Sequence, residues 1–325
     1  MQAILAVTVP FFALVLAGWL AARRGVLPES AIPGLNAYVL YFALPCMLLR
    51  FGMNTPVLDL LNPFVLAVYV LCALVVVGFT IAVSLNATIG LKDASFGALV
   101  AAFPNTGFMG VPLLVALLGP AAAGPVICTV LADLFVTSSL CIALSQLQGA
   151  GAGASGGARA AALRAVRGAL SNPLPWSIAL GALLSATGLK TSGPLDTALR
   201  MLADSATPVA LFTIGAVLWR AGQHAHTRTP LAHYLPVAAI KLFVHPLLVL
   251  LVGAGAQQLG APLSAFQLLV LTLAAALPSA SNVSLLTERY GADSGRVARI
   301  ILASTVGAFA SFSALAWLFG VQPAG

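Results

Sequence analysis

From residue 3 to residue 320 the chain is built of apolar runs long enough to cross a lipid bilayer. About 20 mostly apolar residues make one helical crossing. Such runs fall near 3–22, 31–50, 63–84, 94–118, 121–146, 172–188, 195–219, 231–254, 265–288 and 297–320. Hydrocarbon offers backbone N–H and C=O groups no partner, so a spanning chain must be helical or close into a barrel. Runs of this length and composition read as helices. Charged residues make up only 7% of the 325, against about 25% in a soluble domain, and mean hydropathy is +1.04. The expected fold class is an all-α integral membrane protein with about ten transmembrane helices. The run at 172–188, which opens "SNPLPW", is the shortest of the set.

Charge placement orients these runs. Arg23, Arg24, Lys92, Arg159, Arg164, Arg167, Arg220, Arg228, Arg289, Arg296 and Arg299 follow odd-numbered runs, whereas Arg50, Lys190 and Arg200 lie on the other side. Lys241, inside the eighth run, completes the 15 cations. The positive-inside rule puts the odd loops in the cytoplasm and both termini outside. The +7 net charge is therefore a topology signal, and no nucleic-acid partner is expected. Basic residues follow the first run and do not precede it, so it reads as a retained helix, not a signal peptide. The stretch "GAGAGASGGARAAALRAVRGAL" splits the chain into residues 1–146, a cytoplasmic linker at 147–170, and residues 171–325. Within it Leu163, Val166 and Leu170 share one helical face, which suits a short surface helix on anionic membrane lipid; a plain basic linker fits equally well.

Five runs on each side of the linker is an odd number, so two similarly folded halves must be inverted. Matching features support this. The second run has Pro45 and the seventh Pro208; the fourth, "AAFPNTGFMGVPLL", has Pro104 and the ninth, "AALPSASNV", has Pro278. Gly/Pro-interrupted runs at matching positions mark the binding site of secondary transporters. Proline removes a helix hydrogen bond and glycine loosens the backbone, and Pro112 adds a further proline to the fourth run. In inverted halves, broken runs four and nine cross antiparallel. Two half-helix N-termini then meet near Gly107 and Ser281, each with unpaired N–H groups and a partial positive charge suited to a carboxylate. The opposing C-termini offer carbonyls to a cation. Asn105, Thr106, Gly107, Ser279, Ser281 and Asn282 are the expected substrate contacts, and Pro45, Pro104, Pro112, Pro208 and Pro278 the expected helix breaks.

"FPNTGFMGVPLL" and "ALPSASNVSLLTERYGAD" resemble the two crossover segments of the auxin efflux carrier family, which comprises plant auxin exporters and bacterial carriers of malonate, malate and related acids. The resemblance covers nearly the whole chain. In the second motif the plant carriers have a second proline where this chain has Asn282-Val283. The resemblance implies a fold similar to bacterial bile-acid symporters, with a scaffold moving against a crossover-containing domain. It also implies a weak organic acid as substrate, a homodimer, and Asn105 with the residues around Pro278 facing that substrate. Its bacterial members imply the inner membrane.

Ionisable residues at membrane depth are functional candidates. Asp133 in the fifth run is open to two readings: a coupling site for H⁺ or Na⁺, or a carboxyl held by Thr129 or Thr137. Lys241 and His245 share one face of the eighth run, where two adjacent cations repel, so at most one is charged. Lys241 is expected to meet a buried partner, either substrate or Asp133 or Asp204. Arg200 and Asp204, one turn apart, read as a local ion pair. His224, His226 and His233 lack a neighbouring carboxylate or thiol and read as solvated, so no metal or cofactor is expected. Cys46, Cys72, Cys128 and Cys141 read as packing residues. No nucleophile, acid-pair or zinc motif indicates an enzyme. The expected function is a secondary active carrier of a small organic anion by alternating access, with a cation/proton antiporter as the alternative.

Overall fold

The structure is a computed structural model that describes residues 1–55, 62–147, 170–189, 191–223 and 229–323. The linker residues Arg159, Arg164 and Arg167, together with Lys190, His224, His226 and Arg228, lie outside the described residues. Twelve helical stretches are seen among those described. They are α1 Gln2–Arg23, α2 Glu29–Asn54, α3 Pro63–Ser84, α4 Leu91–Ala102, α5 Thr106–Leu118 and α6 Pro120–Gln146, then α7 Pro173–Thr187, α8 Gly193–Gln223, α9 Leu231–Gln258, α10 Ala265–Ala275, α11 Val283–Tyr290 and α12 Ser294–Leu318. Seven of them (α1, α2, α3, α6, α8, α9 and α12) are long and apolar enough to cross a membrane; α5, α7 and α10 are shorter apolar helices. The molecule is thus an all-helical integral membrane protein.

Local chemistry sets the helix starts. Asn62 accepts from the N–H groups of Phe64 and Val65, with Pro63 in the first turn. Asn172 does the same for Leu174, with Pro173 behind it. Both use a proline where its missing N–H is harmless. Ser264 and Gln267 form a reciprocal capping box on α10, and Asp293 caps α12 through the Arg296 N–H.

The five prolines expected to break helices divide into two groups. Pro104 lies between α4 and α5, and Pro278 between α10 and α11. Pro45, Pro112 and Pro208 break nothing. Pro208 sits inside the continuous α8. Pro45 and Pro112 each follow a π-helical turn, Val39–Ala43 and Thr106–Gly110, and Pro246 likewise follows Ile240–Val244. In all three the carbonyl four residues before the proline falls inside the widened turn. That widening relieves the ring–carbonyl clash proline causes in a regular helix, so the helix continues.

The two most extensive helix contacts are α1 with α8 and α2 with α7. Each rests on paired glycines that bring backbones together, as small residues do between membrane helices. A Cβ at Gly18 would strike the Phe212 backbone, and one at Gly215 the backbone of Val15 and Trp19. Gly52 and Gly181 face each other in the same way, with a Cβ on Gly52 only 3.0 Å from the Gly181 Cα. The Tyr38 and Ser205 hydroxyls, 2.7 Å apart, link α2 to α8.

A second group packs around the crossing: α3 on α4, α9 on α10, α3 on α9, and α9 on α12. Arg296 fastens its arginine-rich end. Only 2% exposed, it donates through Nε to the His233 carbonyl and through Nη1 to the Asp93 carbonyl, both at 2.8 Å, and through Nη2 to Ser84 Oγ at 3.3 Å. One guanidinium thereby joins the ends of α3, α4, α9 and α12. Gly97 leaves room for it, since a Cβ there would lie 2.7 Å from Nη1.

Candidate functional site

The two helix breaks meet. Pro104 and Ser279 form an isolated antiparallel bridge. The Asn105 N–H donates to the Pro278 carbonyl at 2.8 Å, and the Ala280 N–H to the Phe103 carbonyl at 3.0 Å. Non-helical backbone at this depth needs buried partners, and each break supplies them to the other. Asn105 has φ −78° and ψ 53°, and the Thr106 N–H reaches back to the Pro104 carbonyl at 2.8 Å. This is an inverse γ-turn, which swings the chain abruptly into α5.

Past the bridge, donors are left over. Among the described residues no acceptor is found for the N–H groups of Gly107 and Phe108 at the start of α5, or of Ser281 and Asn282 before α11. The Asn105 side chain is 3% exposed and also makes no hydrogen bond among them. A Cβ on Gly107 would meet nothing within 4 Å, so this backbone borders open space.

The other expected contacts serve the protein itself. Ser279 Oγ donates to the Val100 carbonyl at 2.6 Å and meets Ser304 Oγ at 3.1 Å, while its N–H donates to Ser304 Oγ at 3.2 Å. Thr106 is fully buried, with its hydroxyl in a long 3.5 Å contact to the Pro104 carbonyl. Ser279 and Thr106 therefore shape the crossing, whereas Asn105, Gly107, Ser281 and Asn282 carry its free polarity.

Cavities approach from both ends. At the arginine-rich end, one of about 240 Å³ runs between α2 and α7 on one side and α6 and α11 on the other; Asn36, Phe103, Phe108, Ser138, Asn282 and Arg289 are among its walls. At the opposite end, one of about 420 Å³ separates α2 and α8 from α5, with Arg50, Pro112 and Asp204 on its lining. Another of about 600 Å³ lies beside it, between Asn54, Pro120 and Gln267. The Arg200–Asp204 pair expected from local spacing does not form among the described residues. Asp196 takes the cation instead: Arg50 Nη1 reaches its Oδ1 at 2.7 Å, and Thr191 Oγ1 donates to the same oxygen at 2.7 Å. A tertiary contact between α2 and α8 wins over the neighbouring turn.

Behind the crossing sits a buried polar cluster. Asp133, fully buried in a π-helical turn of α6, accepts from Tyr69 Oη at 2.8 Å and Thr137 Oγ1 at 3.0 Å. Thr129 donates to the Val126 carbonyl and takes no part. Lys241, fully buried in the π-helical turn of α9, donates to the Ala275 carbonyl at 2.6 Å and lies 3.2 Å from His245 Nδ1. With Lys241 an ammonium, Nδ1 must accept, so His245 is neutral and its proton is on Nε2. That Nε2 is buried without a partner. Asp133 and Lys241 form no direct ion pair among the described residues. Asp204, in the distant cavity, is not the partner of Lys241.

Tyr69 and Arg296 were not among the residues expected here. Tyr69 is a lone phenol six residues into the third run, and Arg296 lies three residues after a helix-capping aspartate; those are the only sequence hints to either.

The match to known proteins agrees with this architecture. A model of the membrane transport protein family fits residues 3–318. The chain belongs to that family. This is the resemblance to auxin efflux carriers read from the two crossover motifs. A protein of Rhizobium meliloti (strain 1021), provisionally named a malonate transporter, is 29% identical over 331 residues, covering 100% of this chain and 99% of the other. The uncharacterized transporter YfdV of Escherichia coli (strain K12) is 25% identical over 285 residues, 86% of each chain. This chain is therefore a membrane protein of a transport family, and the relatives compared here carry transporter names.

Proposed function

We propose that this member of the family is a secondary active transporter of a small organic anion, working by alternating access. One observation carries the reading: four unpaired backbone N–H groups and the unpaired Asn105 amide converge where two broken helices cross. Gly107 and Phe108 begin one broken helix and Ser281 and Asn282 precede the other, each N–H without an acceptor among the described residues, and donors at helix N-termini suit a carboxylate. The name of the Rhizobium meliloti relative favours a dicarboxylate.

In this reading residues 1–146 and 171–325 are inverted five-helix repeats joined by the cytoplasmic linker at 147–170, in a fold similar to the bile-acid symporters. The contact pattern supports it. Exchanging the halves turns α1 against α8 into α7 against α2, which are the two most extensive contacts. The glycine-zippered α1, α2, α7 and α8 form the scaffold. The crossing helices rock against it, opening the 240 Å³ cavity or the larger pair in turn. The arginine distribution favours a cytoplasmic linker and both termini outside, and the family's bacterial members favour the inner membrane. The family resemblance extends to a homodimer.

Asp133, with Lys241 and His245 nearby, is the coupling site for H⁺, with Na⁺ the other cation to be tested. The same cluster favours a second reading, a cation/proton antiporter. Thermal stabilisation of the purified chain by acids, Na⁺ and pH separates the two. A ligand at about 100 times its Kd stabilises by roughly 2.7 kcal/mol. Asn105→Ala is expected to abolish stabilisation by a carboxylate while leaving the unliganded melting temperature near wild type. Unchanged affinity in a folded Asn105→Ala protein overturns the anion site. A response to Na⁺ or pH alone selects the antiporter.

A further inference from the structure

Within that reading of the site, we infer that Arg289 holds the second carboxylate of the substrate, making the 240 Å³ cavity a site for short dicarboxylates. Arg289 and Asn282 both line this cavity, and Arg289, an exposed residue, is its one charged wall among the described residues. They stand seven residues apart on α11, which is two turns, so they share a face about 10.5 Å apart along the axis. Helical side chains lean toward the N-terminus. The guanidinium therefore covers the turn before its own Cα and closes part of that distance toward the unpaired N–H groups of Ser281 and Asn282. An acid with a carboxylate at each end of a short carbon chain is suited to bridging the two.

Two further features suit Arg289 to this role. Its guanidinium makes no ion pair or hydrogen bond among the described residues. The one acid beside it, Glu288, faces Arg220 across the boundary between α11 and α8, at 3.8 Å. The guanidinium's donors thus remain free for a bidentate carboxylate contact. The walls between the two ends of the site are apolar or neutral: Phe103, Phe108 and Leu286 flank the path, with Asn36 and Ser138 beside it. At 240 Å³ the cavity is below the roughly 300–1,000 Å³ of clefts for drug-sized ligands, which favours a small acid over a bulky aromatic one.

The test compares succinate with butyrate, which share a four-carbon chain and differ in one carboxylate, on the full-length purified protein. Affinities come from concentration-dependent thermal stabilisation. Wild type is expected to bind succinate more tightly than butyrate. Arg289→Gln should weaken succinate by about 10- to 100-fold, the value of a charged hydrogen-bonding contact, and butyrate by less than about threefold. Arg289→Lys should restore part of the loss. Equal weakening of both acids, no change with either, or an equal loss for succinate in Arg24→Gln would each overturn the inference. The last would mean general charge attraction at that end. Asn105→Ala separates the two levels. Loss of both acids there, with no selective effect of Arg289→Gln, keeps the anion site and removes the role of Arg289. If no acid binds the wild type, both fall together.

Discussion

Replacing Gly215 by alanine puts a methyl group where α8 meets the backbone of α1. The new Cβ would lie 2.7 Å from the Trp19 nitrogen and 2.9 Å from the Val15 carbonyl carbon, and closer still to the Val15 oxygen. Ordinary contact begins at 3.4 Å, so the helices must part by at least 0.7 Å to clear Trp19 alone. The obstacle is backbone, which cannot rotate aside as a side chain does. A gap of 0.5–1 Å also forfeits about a quarter to a half of the dispersion energy of the contacts it opens. Overpacking costs about 1–3 kcal/mol, and this site belongs at the upper end. Gly222, on the same helix, provides the control because a Cβ there meets nothing within 4 Å. Gly222→Ala should be neutral, or stabilising by up to about 1 kcal/mol through helix propensity. The two variants should differ by roughly 5–10 °C in thermal unfolding, followed through Trp19 and Trp219 fluorescence in detergent. Gly18→Ala combined with Gly215→Ala should cost less than the sum, since the helices part only once. Melting of Gly215→Ala within a degree of Gly222→Ala would refute the close backbone packing and, with it, the rigid scaffold.

Tyr69→Phe keeps the volume of the ring and deletes the 2.8 Å donor to Asp133. A hydrogen bond contributes about 0.5–1.5 kcal/mol between neutral groups and up to about 3 kcal/mol to a carboxylate, so a loss within those bounds is expected in chemical denaturation, and a variant as stable as wild type would remove the phenol from the cluster. Arg296→Lys cannot reach three acceptors on three helices at once. It should destabilise by about 2–4 kcal/mol through orphaned Asp93 and His233 carbonyls, read as faster hydrogen exchange at the ends of α4 and α9. Unchanged exchange there would mean the clamp is dispensable.

The crossing runs were legible because proline, glycine and asparagine fell together inside runs that otherwise could only be helix. Which prolines break a helix was not legible. Pro45, Pro112 and Pro208 carry the same local signal as Pro104 and Pro278. What differs is that each of the latter faces another break able to take its freed groups. That partner is about 170 residues away in sequence. Local spacing also misassigned the ion pair on α8: Arg200 and Asp204 are one turn apart, yet Arg50 from another helix claims Asp196. Arg296 read as a loop cation because its charge was counted by position. Its burial depends on four helix ends converging around it. For Asp133 the sequence offered two hydroxyls at four-residue spacing; Thr137 takes the contact, and Thr129 turns to its own backbone instead.

The four helix ends at the crossing are treated unequally, and the inequality bears on the sign of the ligand. A half-helix C-terminus carries about half a negative charge and an N-terminus about half a positive one. Both C-terminal ends are met in large part from within. The end of α10 has its Ala275 carbonyl filled by Lys241 Nζ at 2.6 Å. The end of α4 gives its Val100 carbonyl to Ser279 Oγ, and the following Phe103 carbonyl to the Ala280 N–H. The starts of α5 and α11 receive no such partner, and neither an acid nor a hydroxyl oxygen is turned toward Gly107, Phe108, Ser281 or Asn282 among the described residues. A buried donor without an acceptor costs about 1–3 kcal/mol; Phe108 and Ser281 are buried and Gly107 and Asn282 half-buried, so an oxygen supplied to this group of donors is stabilising. A cation would need the carbonyl ends, most of which already accept a hydrogen bond from within. What the crossing lacks is an acceptor of about one negative charge, and that favours a carboxylate over an exchanged cation.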